Sequence, residues 1–415
     1  MKVCLIFPNY PPNYQMDGIG DYTYILVQEL RNLGEVQPQV DVSVIASKKY
    51  SGDDKRVYKI GNLNWGVVEL FKVLRIVRRN FDDYITPFDD YITPFNDYIT
   101  PFNDYITPFD DYITPFDILH LQYTPETYGY GISFKFLPLL MRILIPHTRF
   151  IITFHTLVGG KRISYFNAFL LSIFSHKIIS TNEELTFLFK RRLWFLAHKL
   201  VQIPIGSNIL PIQINKEKAK LDIRTKYNIP AHATLLSNFG FPAPNKGLET
   251  LFNALKILNS LGNYILILVG TTREEDKNYR AELLKLIDKL ELKSNILWME
   301  QLDEQEVSQV LFASDIYVVP YREGMSTRHG SLMAGIVHSL PIVSTYPRVN
   351  YPYFIDGVNV ILVEPENPSK LADAIHRIAN DALLRNNLAQ NISKLASKFS
   401  WSDIACKTIE VYKRG

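Results

Sequence analysis

Cysteine is scarce here: among 415 residues only Cys4 and Cys406 occur, in a predicted first strand and last helix. Their spacing offers neither a disulfide framework nor a zinc site, which points to a reducing, cytoplasmic setting. Long apolar runs are missing too. No stretch reaches the roughly 20 uninterrupted apolar residues that a spanning helix needs. The opening MKVCLIFPNY is too short an apolar run for a secretory signal and reads as a buried strand. Asp-x-Asp pairs and histidine clusters at ligand spacing are absent, so no metal and no other cofactor is expected.

Charge of one sign does not dominate, with 45 basic against 42 acidic residues and a net +3. The balance is uneven along the chain, however. Residues 82–116 hold eight aspartates and no basic residue, which leaves a formal +11 on the other 380. Such an excess suits phosphate-bearing ligands or an anionic membrane surface, and no nucleic acid is expected as a partner.

What is present is a repeated alternation of strand and helix. Val3–Phe7, Val40–Ala46, Asp117–Tyr123, Phe150–Phe154 and Leu200–Pro204 read as strands of a first half. Thr234–Phe239, Tyr264–Val269, Asn295–Trp298 and Ile316–Val319 read as strands of a second. Helical spacing marks Asp21–Leu33, Trp65–Arg79, Leu248–Leu261, Ser331–Val337 and an amphipathic Trp401–Lys413. The fold class is therefore α/β, with two parallel-sheet domains. The expected division is 1–205, 206–390 and a closing helical segment, 391–415.

One segment stands outside that plan. The unit DDYITPF occurs five times in tandem from Asp82 to Phe116, with Asn96 and Asn103 as the only changes. A proline in every unit forbids helix, and the units are too short for a solenoid repeat. The array reads as a flexible surface insertion, with an adhesive loop as the alternative.

The organising stretch is 315-DIYVVPYREGMSTRHGSLMAGIVHSLPIVST-345, which reads strand, loop, helix, strand. In a doubly wound sheet such a loop lies at the ligand crevice, and the following helix points free N–H groups at it. Gly324 loosens the loop. Ser326 and Thr327 can add hydroxyl donors, and Arg328 and His329 can add positive charge, which suits a diphosphate. Gly18 and Gly20 precede the first helix and allow backbone to approach a ligand closely. Phe134–Ile145, Tyr165–Ile179 and Phe187–Leu200 are apolar stretches with basic residues, open to an anionic lipid surface or to ordinary core packing.

Together with 238-NFGFPAPNKGLETLFNAL-255, 297-LWMEQLDEQEVSQVLFASDIYVVPYREG-324, 356-DGVNVILVEPENPSKLADAI-375 and 400-SWSDIACKTIEVYKR-414, the chain resembles the retaining glycosyltransferases of family four. The resemblance implies the GT-B fold: two Rossmann-like domains facing across a cleft, with the last helix crossing back to the N-terminal domain. It implies a nucleotide-sugar donor in the C-terminal domain and a glycan or lipid-linked acceptor in the N-terminal one. Lys246 matches the lysine that contacts the donor diphosphate, and Glu323 matches the first of two glutamates that contact the sugar. His155 matches a histidine beside the donor sugar, and Gly18 and Gly20 match the opposing glycine loop. Gly240, Gly324, Met325, Ser326, Thr327 and Arg328 complete the expected substrate-binding set. Two departures stand out. Phe241 replaces the arginine that usually follows Gly240, with Arg328 as its expected substitute, and Ser331 replaces the second glutamate.

The expected activity is transfer of a hexose to a hydroxyl with retention, by a cytoplasmic enzyme with peripheral contact to the membrane. No carboxylate pair of the glycosidase kind is evident. A nucleotide-sugar epimerase and a non-catalytic sugar-nucleotide scaffold are the competing readings. His120 and His338 read as structural.

Overall fold

The computed structural model describes residues 1–11, 18–36, 40–61, 65–78, 116–128, 133–157 and 162–414. The repeat array, apart from its last residue Phe116, lies outside the described residues. The chain divides into two compact units. One comprises Met1–Ser180, Leu188–Val201 and Thr408–Gly415, and the other Thr181–Phe187 and Gln202–Lys407.

Among the described residues, the first unit is built on seven strands: β1 (Lys2–Ile6), β2 (Asp41–Ala46), β3 (Val57–Lys59), β4 (Ile118–Tyr123), β5 (Arg149–Phe154), β6 (Lys177–Ser180) and β7 (Leu200–Gln202). They lie in the order β3-β2-β1-β4-β5-β6-β7. Val3 pairs in parallel with Val42 on one side and Ile118 on the other. A parallel sheet is covered on both faces by its crossover helices, and every residue of β4 is accordingly buried, His120 and Gln122 included.

The second unit has six strands: β8 (Thr234–Phe239), β9 (Tyr264–Val269), β10 (Ile296–Met299), β11 (Ile316–Val319), β12 (Ile342–Thr345) and β13 (Ile361–Val363). Their order is β10-β9-β8-β11-β12-β13, and the pairs are parallel. One apolar layer places Leu251, Leu255, Leu371 and Ile375 against the sheet. The other brings Leu311, Leu332, Met333 and Ile336 against it. The chain runs outward in one direction from β8 and in the other from β11. The doubly wound pattern therefore reverses between these two neighbours.

Sequence and structure differ mainly at edges and ends. β3, β6 and β13, of three, four and three residues, were not anticipated. β7 stops at Gln202 rather than Pro204, since proline has no N–H for the ladder. The first helix spans Gly18–Val36, so Gly18 and Gly20 open it rather than precede it. No helix among the described residues is long and apolar enough to cross a membrane.

Candidate functional site

Where a doubly wound sheet reverses direction, the loops leaving the two central strands part and open a crevice. Here those loops follow β8 and β11. The β8 loop carries Gly240 and Phe241 and ends in a single tight turn, Pro244–Lys246. Gly247 follows at φ 68°, and a Cβ there would lie 2.0 Å from the carbonyl oxygen of Pro320. Only glycine lets the lysine turn pass so close to the end of β11. The Leu248–Leu258 helix then begins. The β11 loop runs from Tyr321 to His329 and enters the Gly330–Val337 helix, which has no side-chain N-cap.

The two loops meet at Lys246. Its ammonium donates to Ser331 Oγ at 3.0 Å and lies 5.1 Å from the centre of the Tyr321 ring. Tyr321 Oη and Ser331 Oγ are hydrogen-bonded at 2.7 Å. Burial pushes the Lys246 pKa down to about 8, and the nearby Arg273 and Arg328 guanidinium groups push in the same direction. No carboxylate pairs with it among the described residues. A buried cation whose charged neighbours are other cations is an anion site in waiting.

Ser331, which stands where the second glutamate was missing, thus supports the lysine. His329 stacks on Tyr321 with ring centres 4.0 Å apart, and its Nδ1 is buried without a hydrogen-bond partner. Burial, with Lys246 and Arg328 beside it, holds its pKa well below the ordinary value. The expectation that His329 adds positive charge is corrected: it is a neutral ring.

Other members of the expected set are spent differently. Ser326 and Thr327 are buried, and their hydroxyls donate to Glu184 Oε2 at 2.7 Å and Glu183 Oε2 at 2.8 Å. Tyr353 also donates to Glu183, and Gln202 Nε2 donates to the same carboxylate at 2.7 Å. Both hydroxyls are therefore committed to carboxylates, not to a phosphate. Met325 lies in the apolar core, where no ligand reaches it. Glu323 is exposed, and its carboxylate pairs with Arg328 at 2.9 Å and with Arg348 at 3.9 Å. Arg328 is thus partnered by the very glutamate expected to meet the sugar. Gly240 lies against Lys246, since a Cβ on it would be 3.6 Å from the lysine Nζ. Gly324 turns the β11 loop at φ 86°.

Sequence reasoning missed one cation. Arg273, beyond the end of β9, stands with its Cζ 5.0 Å from the centre of the Phe241 ring. The aromatic at position 241 was the only clue, and nothing in the sequence connects it to a residue 32 positions away.

In the first unit, His155 follows β5 and is buried. Its Nε2 bonds Gln122 Oε1 at 2.8 Å, and its ring meets Tyr22 edge-on at 4.7 Å. Gln122 Nε2 lies 3.2 Å from His120 Nε2, which also meets Thr153 Oγ1 at 2.7 Å. His120 Nδ1 and Tyr412 Oη are 2.7 Å apart. Burial drives both histidines down to about 3, so both rings are neutral across the physiological range. His120 is held from three sides, and His338 likewise bonds Ser308 Oγ and the carbonyl of Ala334. Among the described residues no cluster of three or more His, Cys, Asp or Glu side chains could hold a metal ion.

Residues 220–395 match the family model of the Glycosyl transferases group 1. An uncharacterized glycosyltransferase of Methanocaldococcus jannaschii is 29% identical over 174 residues, 41% of this chain and 45% of that protein. The chain thus spans less than half the length of that relative. Among solved structures, the sucrose-phosphate synthase of Thermosynechococcus elongatus aligns with a TM-score of 0.66 at 18% identity, covering 100% of this chain and 98% of that one. Anabaena HepE, solved with UDP-glucose, aligns with a TM-score of 0.69 at 15% identity over the whole of both chains. These likenesses show the fold, two parallel-sheet α/β domains of the GT-B kind.

Proposed function

We propose, from the match of residues 220–395 to the family model of the Glycosyl transferases group 1, that the protein transfers a hexose from a nucleoside diphosphate sugar to a hydroxyl acceptor, with retention. The observation that carries this reading is Lys246: an ammonium enclosed at the switch point of β8 and β11, with cations as its charged neighbours. When the glycosidic bond breaks, charge grows on the departing diphosphate. A cation already in place stabilises that charge without reorganising in the transition state. The uncapped N-terminus of the Gly330–Val337 helix adds its dipole. In this reading Glu323, exposed and paired with two arginines, is the carboxylate that meets the sugar. The UDP-glucose complex of the HepE neighbour favours a nucleotide sugar as donor. His155, Gly18 and Gly20 belong to the reading as groups of the first unit, His155 as a neutral ring that bonds a sugar hydroxyl. No metal and no other cofactor takes part.

The acceptor in this reading is a glycan or a lipid-linked molecule, and the enzyme touches the membrane without crossing it. Trp194 and Phe195 of the first unit are exposed beside Lys190, Arg191 and Arg192, which supports an anionic lipid surface. Salt-sensitive sedimentation with phosphatidylglycerol vesicles is the expected result, and none at low salt would remove this part.

The activity is tested by incubation with a panel of nucleotide sugars. Sugar transfer or slow donor hydrolysis is expected. An epimerised product, or binding without turnover, would replace the proposal with one of the two competing readings.

A further inference from the structure

We infer that Arg273 is a phosphate-binding residue, held over Phe241 with one edge of its guanidinium open to the diphosphate that Lys246 meets. The inference rests on the phosphate reading of Lys246 above. It starts from the backbone. A Cβ on Gly270 would lie 2.2 Å from the carbonyl oxygen of Gly240, so the loops after β8 and β9 are pressed together as only glycine allows. Gly240 is also the residue against which the Lys246 ammonium rests. Phe241 follows it and presents its ring to Arg273, Cζ to centroid 5.0 Å. A guanidinium on an aromatic face keeps its in-plane donors free to point outward.

Those donors are unequally used. Arg273 Nε donates to Asp276 Oδ2 at 2.6 Å, and Nη1 pairs with Glu275 Oε1 at 2.8 Å. Nη2 has no partner among the described residues. The two carboxylates lower the net charge but fix the plane, so the contribution is directed hydrogen bonding rather than bulk field. Arg328 is engaged as well, its Nη2 donating to Glu323 at 2.9 Å. Of the two guanidinium groups, Arg273 is also the one that Lys246 feels more strongly. The cation lacking at position 241 is thus supplied from the neighbouring loop, and Phe241 serves as its platform.

The test is calorimetric titration of uridine, adenosine and guanosine diphosphates, and of the matching nucleosides, into the full chain and its variants. Arg273→Gln is expected to weaken the diphosphate that binds by about 10-fold and leave its nucleoside unchanged. Adding Phe241→Arg to that variant is expected to restore most of the loss. Should Arg273→Gln melt early, Phe241→Leu keeps the charge but removes the platform, and about 3-fold weaker binding is expected. Unchanged diphosphate affinity in Arg273→Gln, while Lys246→Ala binds poorly, would overturn the role of Arg273 alone. Equal loss for nucleoside and diphosphate would make Arg273 structural and overturn it too. Full affinity in Lys246→Ala would bring down the phosphate reading itself.

Discussion

The two ends of β11 treat charge in opposite ways. At the amino end, Asp315 is largely covered and fully answered. Lys220 Nζ approaches it at 3.1 Å, Arg224 Nη2 at 3.3 Å, and Leu235 N donates to it at 2.9 Å. At the carboxyl end, Lys246 has a serine hydroxyl and an aromatic face, and its charged neighbours are other cations. Both places hold charge out of bulk water, at a desolvation cost. The first recovers the cost inside the fold and needs nothing more. The second recovers it only when an anion arrives, which distinguishes a binding group from a structural one.

The largest effect expected from breaking this contrast is on turnover. Lys246→Ala should slow transfer by about 100-fold, roughly 3 kcal/mol of barrier, because one preorganised electrostatic donor is gone. Its melting temperature should hold or rise, since a desolvated charge has been removed. Asp315→Ala should do the reverse. Two cations lose their common carboxylate, stability falls by about 2 kcal/mol, and the activity of the folded fraction persists. Thermal melts beside initial rates check both. Sharp loss of activity in the Asp315 variant at temperatures where it remains folded would erase the distinction between the two ends.

A smaller effect tests the hydroxyls that turned inward. Ser326→Ala and Thr327→Ala each lose a bond to a partly buried glutamate, and each should cost about 1 kcal/mol in denaturant unfolding. Donor affinity should not change. Selective loss of diphosphate binding in either variant would return these residues to the ligand.

The smallest effect is a pH dependence. The folded protein holds Lys246 at about 8, against 10.5 for the ordinary side chain. Between those values the unfolded chain keeps a proton that the folded one gives up. The stability of the ligand-free protein should therefore rise with pH across that window, and the destabilisation is complete below about pH 8. Ligand binding runs the other way. A bound diphosphate favours the ammonium, so affinity falls as pH rises through about 8, with proton uptake. Titrations in buffers of different ionisation heat measure that uptake, and none between pH 8 and 9 would place the ligand elsewhere.

How much of this was legible in the sequence varied with distance along the chain. β8, β9 and β11 were readable to the residue: β9 and β11 are continuous apolar runs buried on both faces, and β8 sets Leu235, Leu236 and Phe239 between turn-forming flanks. Lys246 was readable because Gly247 and the helix behind it mark a strand-turn-helix crossing. β3 and β13, three residues each at the sheet edges, were not, and β6 was lost because it overlaps the end of the apolar stretch 165–179. Ser326 and Thr327 were misread for a related reason. Their spacing shows that they lie in a ligand-facing loop, but not that Glu183 and Glu184, more than 140 residues earlier, occupy the space behind them.

By itself the sequence determined the alternation of strands and helices, the parallel sheets that follow from it, and the lysine turn at the end of β8. These depend on local propensity and on apolar runs, which a chain carries wherever it goes. Which charges are answered was decided only in three dimensions. Asp315 collects Lys220 and Arg224, Glu183 collects Thr327 and Tyr353, and Arg273 reaches Phe241 across two loops. The charge left over at Lys246 is what remains after the fold has made those pairings, and no stretch of sequence can state a remainder.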